Sequence, residues 1–423
     1  MLEIHRLRNN KEEVIERLKI RGKDFTKTIE TILTLDAGKR DILQKLESNQ
    51  ARANSLAKEI GILYKSGEAE KANALKEETS QLKEVNKDLD HELNQADNEI
   101  KTLLYEVPNT PRMDVSTGMT ENDNEIISEI GEIPDLGSSN LPHWELAKKY
   151  DLIDFELGVK ITGAGFPVYK GKGARLQRAL INYFLDKAHS EGYSEIIPPL
   201  MVNEASGYGT GQLPDKEGQM YYVKEDDFYL IPTAEVPITN IYRDVILKES
   251  DFPIKNTGYT PCFRREAGSY GKDVRGLNRL HQFDKVEIVQ IQHPSKSYDT
   301  LEQMQSYVQG LLKELGLPYR VLKLCGGDLG FTSSLTYDME VYSAAQERWL
   351  EVSSISNFEN FQANRLKLRF KNSEGKTELA HTLNGSALAL PRILAALLEN
   401  NQDENGIKVP ACLHKYTGFD RID

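Results

Sequence analysis

The residues of this chain best suited to chemistry lie between positions 263 and 287. Phe263-Arg264-Arg265-Glu266 is followed, after a loop holding Gly268, Gly271 and Gly276, by Arg279, Phe283 and Glu287. The run from Leu280 to Val289 reads as a strand, so the two halves predict a long hairpin. Side chains alternate between the faces of a strand, which places Arg264 with Glu266 on one face and Arg279, Phe283 and Glu287 together on one face. Two arginines, two carboxylates and one ring can then converge on a single patch. Guanidinium groups suit phosphates, a flat ring suits a base and carboxylates suit amines, so the patch suits a nucleotide. The competing reading is a hairpin whose charges pair with one another in water.

A hairpin of this kind needs a domain to hold it, and the chain is long enough for two or more. It has 423 residues, of which 39% are hydrophobic and 28% charged. No apolar run approaches the roughly 18 residues of a membrane span, and the N-terminal sequence has neither a signal-peptide core nor the acid-poor character of a transit peptide. A cytoplasmic protein with no membrane partner is expected. Cys262, Cys325 and Cys412 are odd in number and far apart, so neither a disulfide framework nor a zinc site is expected. The net charge of −12 argues against a coat of nucleic acid but leaves room for a local basic stripe.

Residues 27–104 carry almost no proline or glycine, and their apolar residues fall on heptads. Leu35, Ile42, Asn49, Leu56 and Leu63 interleave with Leu46, Ala53 and Ile60; Ala72, Thr79, Asn86, Leu93 and Ile100 interleave with Leu75, Leu82, Leu89, Ala96 and Leu103. The break at Lys65-Ser66-Gly67-Glu68 predicts that the halves fold back on each other. In that register Leu46 meets Leu89, Ala53 meets Leu82, Ile60 meets Leu75 and Asn49 meets Asn86. Each helix would span about 57 Å, more than a compact domain needs. Lys45, Arg52, Lys58 and Lys65 form a basic stripe on the first helix. A dimerisation coil and a solvated face are the plainer readings of the heptads and the stripe.

Residues 108–142, rich in Pro, Gly, Asn and Ser, read as a connector between an N-terminal domain, 1–107, and a second domain, 143–423. In the second domain strands and helices mix without regular βαβ alternation, which favours an α+β fold with an antiparallel sheet flanked by helices. Gly165 to Lys172 misses the phosphate-loop pattern in spacing and in having Gly173 where a hydroxyl should hold a cation. A helix from about Arg175 to Gly192 leads to a strand ending at Pro199. Pro391 fits the first turn of a helix, so Arg392 would sit at its positive end and needs an anion nearby.

The string from Phe263 to Leu277 and on through His281-Gln282-Phe283 resembles motif 2 of the class II aminoacyl-tRNA synthetases, and seryl-tRNA synthetases in particular. The helix and strand ending at Pro199 resemble motif 1, the element that builds a homodimer interface in that family. Asn384 to Arg392 is similar to motif 3. Thr233-Ala234-Glu235 matches the family's serine-binding Thr-x-Glu, and Glu351-Val352-Ser353-Ser354 its segment for ATP with magnesium. The resemblance covers essentially the whole chain, in order. Arg265 stands where the family commonly has a small residue, and strand alternation turns it away from the patch.

The resemblance implies an N-terminal coiled-coil arm that grips the variable arm of tRNA(Ser), and of tRNA(Sec) where a cell has one, with Lys45, Arg52, Lys58 and Lys65 as candidate contacts. It implies activation of L-serine with ATP to an adenylate, then transfer to tRNA. Arg264 is assigned to the α-phosphate and serine carboxylate, Glu266 to the adenine amine, Phe283 to stacking, Arg279 and Arg392 to the outer phosphates, and Glu351 with Ser354 to Mg2+. Arg265, Val352 and Ser353 fall within the ATP-binding strings. Serine is assigned to Thr233, Ala234, Glu235, Arg264, Glu287 and Ser386; which of Glu287, Thr233 and Ser386 reads the hydroxyl stays open. A different synthetase of the class, a carrier-protein aminoacylase or a coiled-coil interaction protein with an inactive domain are the rivals.

Overall fold

The computed structural model describes residues 1–137, 140–266 and 275–423. The chain divides into two units, residues 1–19 with 23–108, and residues 20–22 with 109–423. Among the described residues no helix is long and apolar enough to cross a membrane.

In the first unit, short helices at Ile4–Asn9 and Lys11–Lys19 precede two long ones, α1 (Thr26–Lys65) and α2 (Ala69–Glu106). The turn between them follows from Gly67. With φ at +80°, it lets Glu68 N donate to Leu63 O at 2.9 Å and Gly67 N to Tyr64 O at 3.4 Å. These two bonds are the Schellman closure of a helix, and the left-handed residue it requires is easiest for glycine. Below the turn Leu56, Ala72, Leu89 and Ile100 are buried. The fold-back register expected from the heptads is present: Asn49 Nδ2 donates to Asn86 Oδ1 at 2.8 Å. Arg52 makes two bonds to Glu78 across the pair, at 2.8 and 3.1 Å, so one member of the basic stripe is engaged within the arm.

The second unit is built on an eight-stranded sheet: β1 (Glu125–Ile130), β2 (Ser194–Glu195), β3 (Ile254–Phe263), β4 (Gln282–Gln292), β5 (Tyr319–Lys323), β6 (Leu335–Ser343), β7 (Arg348–Asn357) and β8 (His381–Ala389). Their order is β1-β5-β6-β7-β8-β4-β3-β2. Every pairing is antiparallel except β2 on β3. The stretch 108–142, expected as a connector, is thus more than that: it supplies edge strand β1, whose pairing with β5 its local composition does not reveal.

Further helices include α3 (His143–Lys149), α4 (Gly171–Ser190), α5 (Ser297–Glu314) and α6 (Leu390–Asn400). Leu176, Leu180, Phe184 and Ala188 of α4 recur every fourth residue and join Val286 and Ile288 of β4 in the main apolar cluster, which α5 and α6 also enter. Gly173 belongs to this packing, since a Cβ there would lie 2.2 Å from Leu152 O. Apolar burial on one face of β4 forces Lys285 and Glu287, the alternate residues, onto the other.

The Asn49–Asn86 bond predicts a specific pattern of arm stability. Replacing Asn86 alone with Leu should cost about 1–2 kcal/mol by leaving Asn49 unpaired, whereas the N49L/N86L pair should recover or exceed the parent. Circular dichroism melts of the three variants check this, and equal melts for the single and parent proteins would contradict it.

Candidate active site

Glu287 is 2% exposed, so its carboxylate needs partners inside the protein. Lys285, two residues earlier on the same face, supplies Nζ at 2.8 Å. Thr233 Oγ1 donates to the same carboxylate oxygen at 3.2 Å. Across the β4–β8 pairing Glu287 stands opposite Ser386, and Ser386 O accepts from Ser353 Oγ at 2.6 Å. The three residues expected to share the serine pocket are therefore neighbours, although they lie far apart in sequence.

Glu235 extends the same buried polar group. It is 7% exposed, and its Oε1 accepts from Gln362 Nε2 at 2.6 Å, while Gln362 Oε1 accepts from the Thr382 hydroxyl at 2.7 Å. Burial pushes the Glu235 carboxyl up to about 7; the Glu287 charge pushes the same way, and the Gln362 bond and the Lys285 charge oppose it. Ala234, between Thr233 and Glu235, packs instead with Ile238 and Val289 and offers the pocket no polar side chain.

The hairpin carries the second half of the site. Strand β3 ends at Phe263, short of the three residues for which strand alternation was expected to hold, and Glu266 adopts a left-handed φ of +48°. Arg264, Arg265 and Glu266 are therefore placed by individual bonds and not by strand parity. Arg264 N donates to His281 O at 2.9 Å, and its guanidinium lies 5.2 Å from the centre of the Phe283 ring. Arg265 takes a different direction, over Tyr221 at 5.7 Å. Arg279 Nη1 bonds Glu266 Oε2 at 3.1 Å. The part of the motif 2 string from Ala267 to Val274, with Gly268 and Gly271, lies outside the described residues.

Arg392 occupies the first turn of α6, as the sequence suggests. It reaches Asn278 O with Nε at 3.1 Å and Glu351 O with Nη1 at 2.8 Å, and its guanidinium is 3.8 Å from the Glu351 carboxylate. Glu351 and Ser354 are three apart, a spacing that would put them on opposite faces of a regular strand. The pairing of β6 with β7 resolves this: Glu340 faces Glu351, Met339 faces Ser353 and Asp338 faces Ser354, so Val352 is the extra residue of a bulge. Asp338 and Glu340 share a face of β6, and Glu351 with Ser354 share the matching face of β7. Val352 itself is buried in the apolar cluster, so its side chain has no place among the polar ligands.

The bulge also assembles oxygen donors. Asp338 Oδ1 is inaccessible and takes no hydrogen bond among the described residues. Burial first, and the Glu351 charge second, hold the Asp338 carboxyl well above its ordinary range, against the pull of the Ser354 hydroxyl. A polyphosphate beside the Glu351 carboxylate would be repelled unless a cation lay between them. Among the described residues no three acidic, histidine or cysteine side chains cluster to hold a metal by themselves, but the Glu351 carboxylate and the Ser354 hydroxyl are the hard oxygens that magnesium takes when phosphates fill its other positions.

Lys285, Gln362, Thr382 and Asp338 were not foreseen. Lys285 could have been, since it shares the face of Glu287 two residues away; the other three reach the site only through long-range strand pairing and packing.

Residues 1–111 match the family described as the seryl-tRNA synthetase N-terminal domain, and residues 221–401 match the tRNA synthetase class II core domain (G, H, P, S and T). A serine–tRNA ligase from Salinibacter ruber is 51% identical over 424 residues, covering 100% of this chain and 99% of its own. Among solved structures, seryl-tRNA synthetase from Pyrococcus horikoshii complexed with ATP is 34% identical with a TM-score of 0.93, covering 100% of this chain and 99% of its own. The cytoplasmic serine–tRNA ligase of Naegleria fowleri in complex with AMP is 27% identical with a TM-score of 0.89, covering 100% of this chain and 99% of its own.

The buried Glu235 predicts a pH dependence. Its carboxyl binds its proton more tightly in the folded chain, about 7 against an ordinary 4.5, so its contribution to stability is complete below about 4.5 and is lost as pH rises to about 7. Glu235→Gln should remove that loss, on the order of 3 kcal/mol, and gain on the parent between pH 4 and pH 8. Urea unfolding at a series of pH values measures it; parallel curves for the two proteins would contradict it.

Proposed function

The chain belongs to the seryl-tRNA synthetase family, class II enzymes that ligate serine to tRNA, and from that premise we propose a two-step reaction through a seryl-adenylate. The observation that carries this reading is the convergence of Glu287, Thr233 and Ser386 in one buried polar pocket beside the Arg264–Phe283 hairpin. In the first step a serine carboxylate oxygen attacks the α-phosphorus of ATP, and pyrophosphate leaves. In the second, a terminal ribose hydroxyl of the tRNA attacks the carbonyl carbon of the adenylate, and AMP leaves. Neither step needs a side-chain nucleophile; placement and charge neutralisation do the work.

Arg264 is assigned to the α-phosphate and the serine carboxylate, where it lowers the repulsion between two anions. Phe283 offers its ring to adenine and Glu266 accepts from the adenine amine. ATP would exchange the existing partnerships, Arg264 over Phe283 and Arg279 with Glu266, for contacts of the same kind with base and phosphate. Arg279 and Arg392 take the outer phosphates. Mg2+ with ATP would be held by Glu351 and Ser354, and when bound it supplies neutralisation of phosphate charge. The relatives solved with ATP and with AMP support nucleotide binding here.

Glu287 is assigned to the serine ammonium, with Thr233 and Ser386 beside it for the hydroxyl, and Glu235, bonded to Gln362, completes the polar lining of the same pocket. Alanine would leave these buried groups unpaired, which discriminates more strongly than loss of a methyl contact. The coiled coil is read as the tRNA arm, and an arm that grips a long variable arm accepts tRNA(Sec) as well as tRNA(Ser). Around Pro199, Ile197 is 89% exposed and Met201 50%, an apolar surface that fits the motif 1 interface of a homodimer. The cytoplasm is the proposed place of action.

Amino-acid-dependent ATP–pyrophosphate exchange tests the reading, with serine expected to support it and alanine, threonine and glycine at least about a hundredfold less. Glu287→Gln should raise the serine KM by a similar factor and leave the ATP KM nearly unchanged. Equal effects on both would assign Glu287 to the nucleotide. Reversing Lys45 and Arg52 to Glu should weaken tRNA charging and flatten its salt dependence while exchange persists; loss of exchange as well would give the arm a structural role.

A further inference from the structure

The imidazole of His143 lies outside every motif, and both it and Glu399 are 0% exposed. Their surroundings define one arrangement. Leu277 N donates to His143 Nε2 at 2.8 Å, so that nitrogen is an acceptor and the proton sits on Nδ1, which bonds Glu399 Oε1 at 2.7 Å. Glu399 also accepts from His143 N and Gln346 Nε2, at 2.8 and 2.9 Å, and from the Ser343 hydroxyl. Three of these donors converge on Glu399 Oε1 and the Ser343 hydroxyl takes Oε2, so both oxygens of the buried carboxylate are engaged.

This network grips the returning arm of the motif 2 hairpin, Arg275 to Arg279. Gly276, at φ +65°, lies so close to the ring that a Cβ would fall 2.2 Å from His143 Nε2. Beside it the Arg275 guanidinium stacks 4.5 Å from the Trp144 ring and lies 3.6 Å from Glu145. Asn278 Nδ2 donates to Gln346 Oε1 at 2.9 Å, and Asn278 O accepts from Arg392 Nε at 3.1 Å. Arg392 and Glu399 are seven residues apart on α6, two turns along the same face. One helix therefore presents Arg392 to the site and, through Glu399, fixes the segment that ends in Arg279.

We propose that His143 is a positioning residue for ATP: through its bond to Leu277 N it sets the Arg275–Arg279 segment, and so the placement of Arg279 and Arg392 for the outer phosphates. The proposal rests on those two arginines being phosphate ligands, as assigned above. It separates two roles of the ring. The Nδ1 bond anchors His143 to the core, and the Nε2 bond reaches out to the hairpin.

The two bonds can be removed one at a time. His143→Asn places an amide near the position of Nδ1, keeping a donor for Glu399 but not reaching Leu277. His143→Gln extends an amide oxygen to about the position of Nε2 and restores the acceptor. In ATP–pyrophosphate exchange His143→Asn should raise the ATP KM about tenfold, the cost of one buried unpaired donor, with the serine KM nearly unchanged, and His143→Gln should recover most of that loss. Equal impairment of the two variants, or matching rises in the ATP and serine KM, would overturn the proposal. Arg279→Ala and Arg392→Ala run alongside: if they raise the ATP KM and His143→Asn does not, the positioning role is wrong; if neither raises it, the phosphate assignment fails and the proposal with it. Hydrogen exchange on the unmodified full-length protein tests the bond whatever the variants' folding: the Leu277 amide should be among the slowest of residues 275–281, and exchange at a solvent-exposed rate would overturn the proposal.

Discussion

A carboxylate buried in the middle of a sheet constrains everything around it. Glu287 sits on β4 between Val286 and Ile288, which belong to the apolar core, so strand alternation sends it to the opposite face with nearly no access to water. Its charge is compensated by Lys285 and by the Thr233 hydroxyl. A buried ion pair of this kind is poor evidence for stability, because desolvation offsets much of the attraction, whereas removing one partner typically costs about 3–5 kcal/mol. Its presence therefore points to use. A pocket that already holds a carboxylate, an ammonium and a hydroxyl provides the groups that would read a small zwitterion bearing a hydroxyl.

The hairpin arginines obey a looser constraint. Arg264 over Phe283 and Arg279 on Glu266 are partly exposed pairs, each inexpensive to exchange for an equivalent contact. The two halves of the site thus differ in character: a preorganised pocket within the sheet, and a set of partners at its edge that trade among themselves. The fixed points between them are backbone carbonyls, those of Asn278 and Glu351, both held by Arg392.

Local periodicity made much of this legible in the sequence, and non-local pairing explains what was not. The heptads fixed the turn at Gly67 and the meeting of Asn49 with Asn86, because a coiled-coil register is written in spacing alone. The resemblance of the motif strings marked the hairpin, Arg392 and the Thr233 segment. Alternation failed at Phe263, where the strand stops and Glu266 turns left-handed, and at Val352, where a bulge reverses parity and brings Glu351 and Ser354 onto one face. Both depend on the partner strand, which sequence spacing does not reveal. Strand β1 was hidden for the same reason: Ile126, Ile127 and Ile130 stand in a stretch otherwise rich in proline, glycine, asparagine and serine, which looks like a connector until β5 lies beside it.

The central claim is that the Glu287 pocket receives the aminoacyl group while the hairpin receives the nucleotide. A crystal structure with a non-hydrolysable seryl-adenylate analogue tests it most directly. The seryl ammonium should lie at hydrogen-bond distance, about 3 Å, from the Glu287 carboxylate, with the hydroxyl beside Thr233 or Ser386 and the adenine against Phe283. A seryl group bound elsewhere, with the Lys285 and Thr233 contacts of Glu287 unchanged, would contradict it.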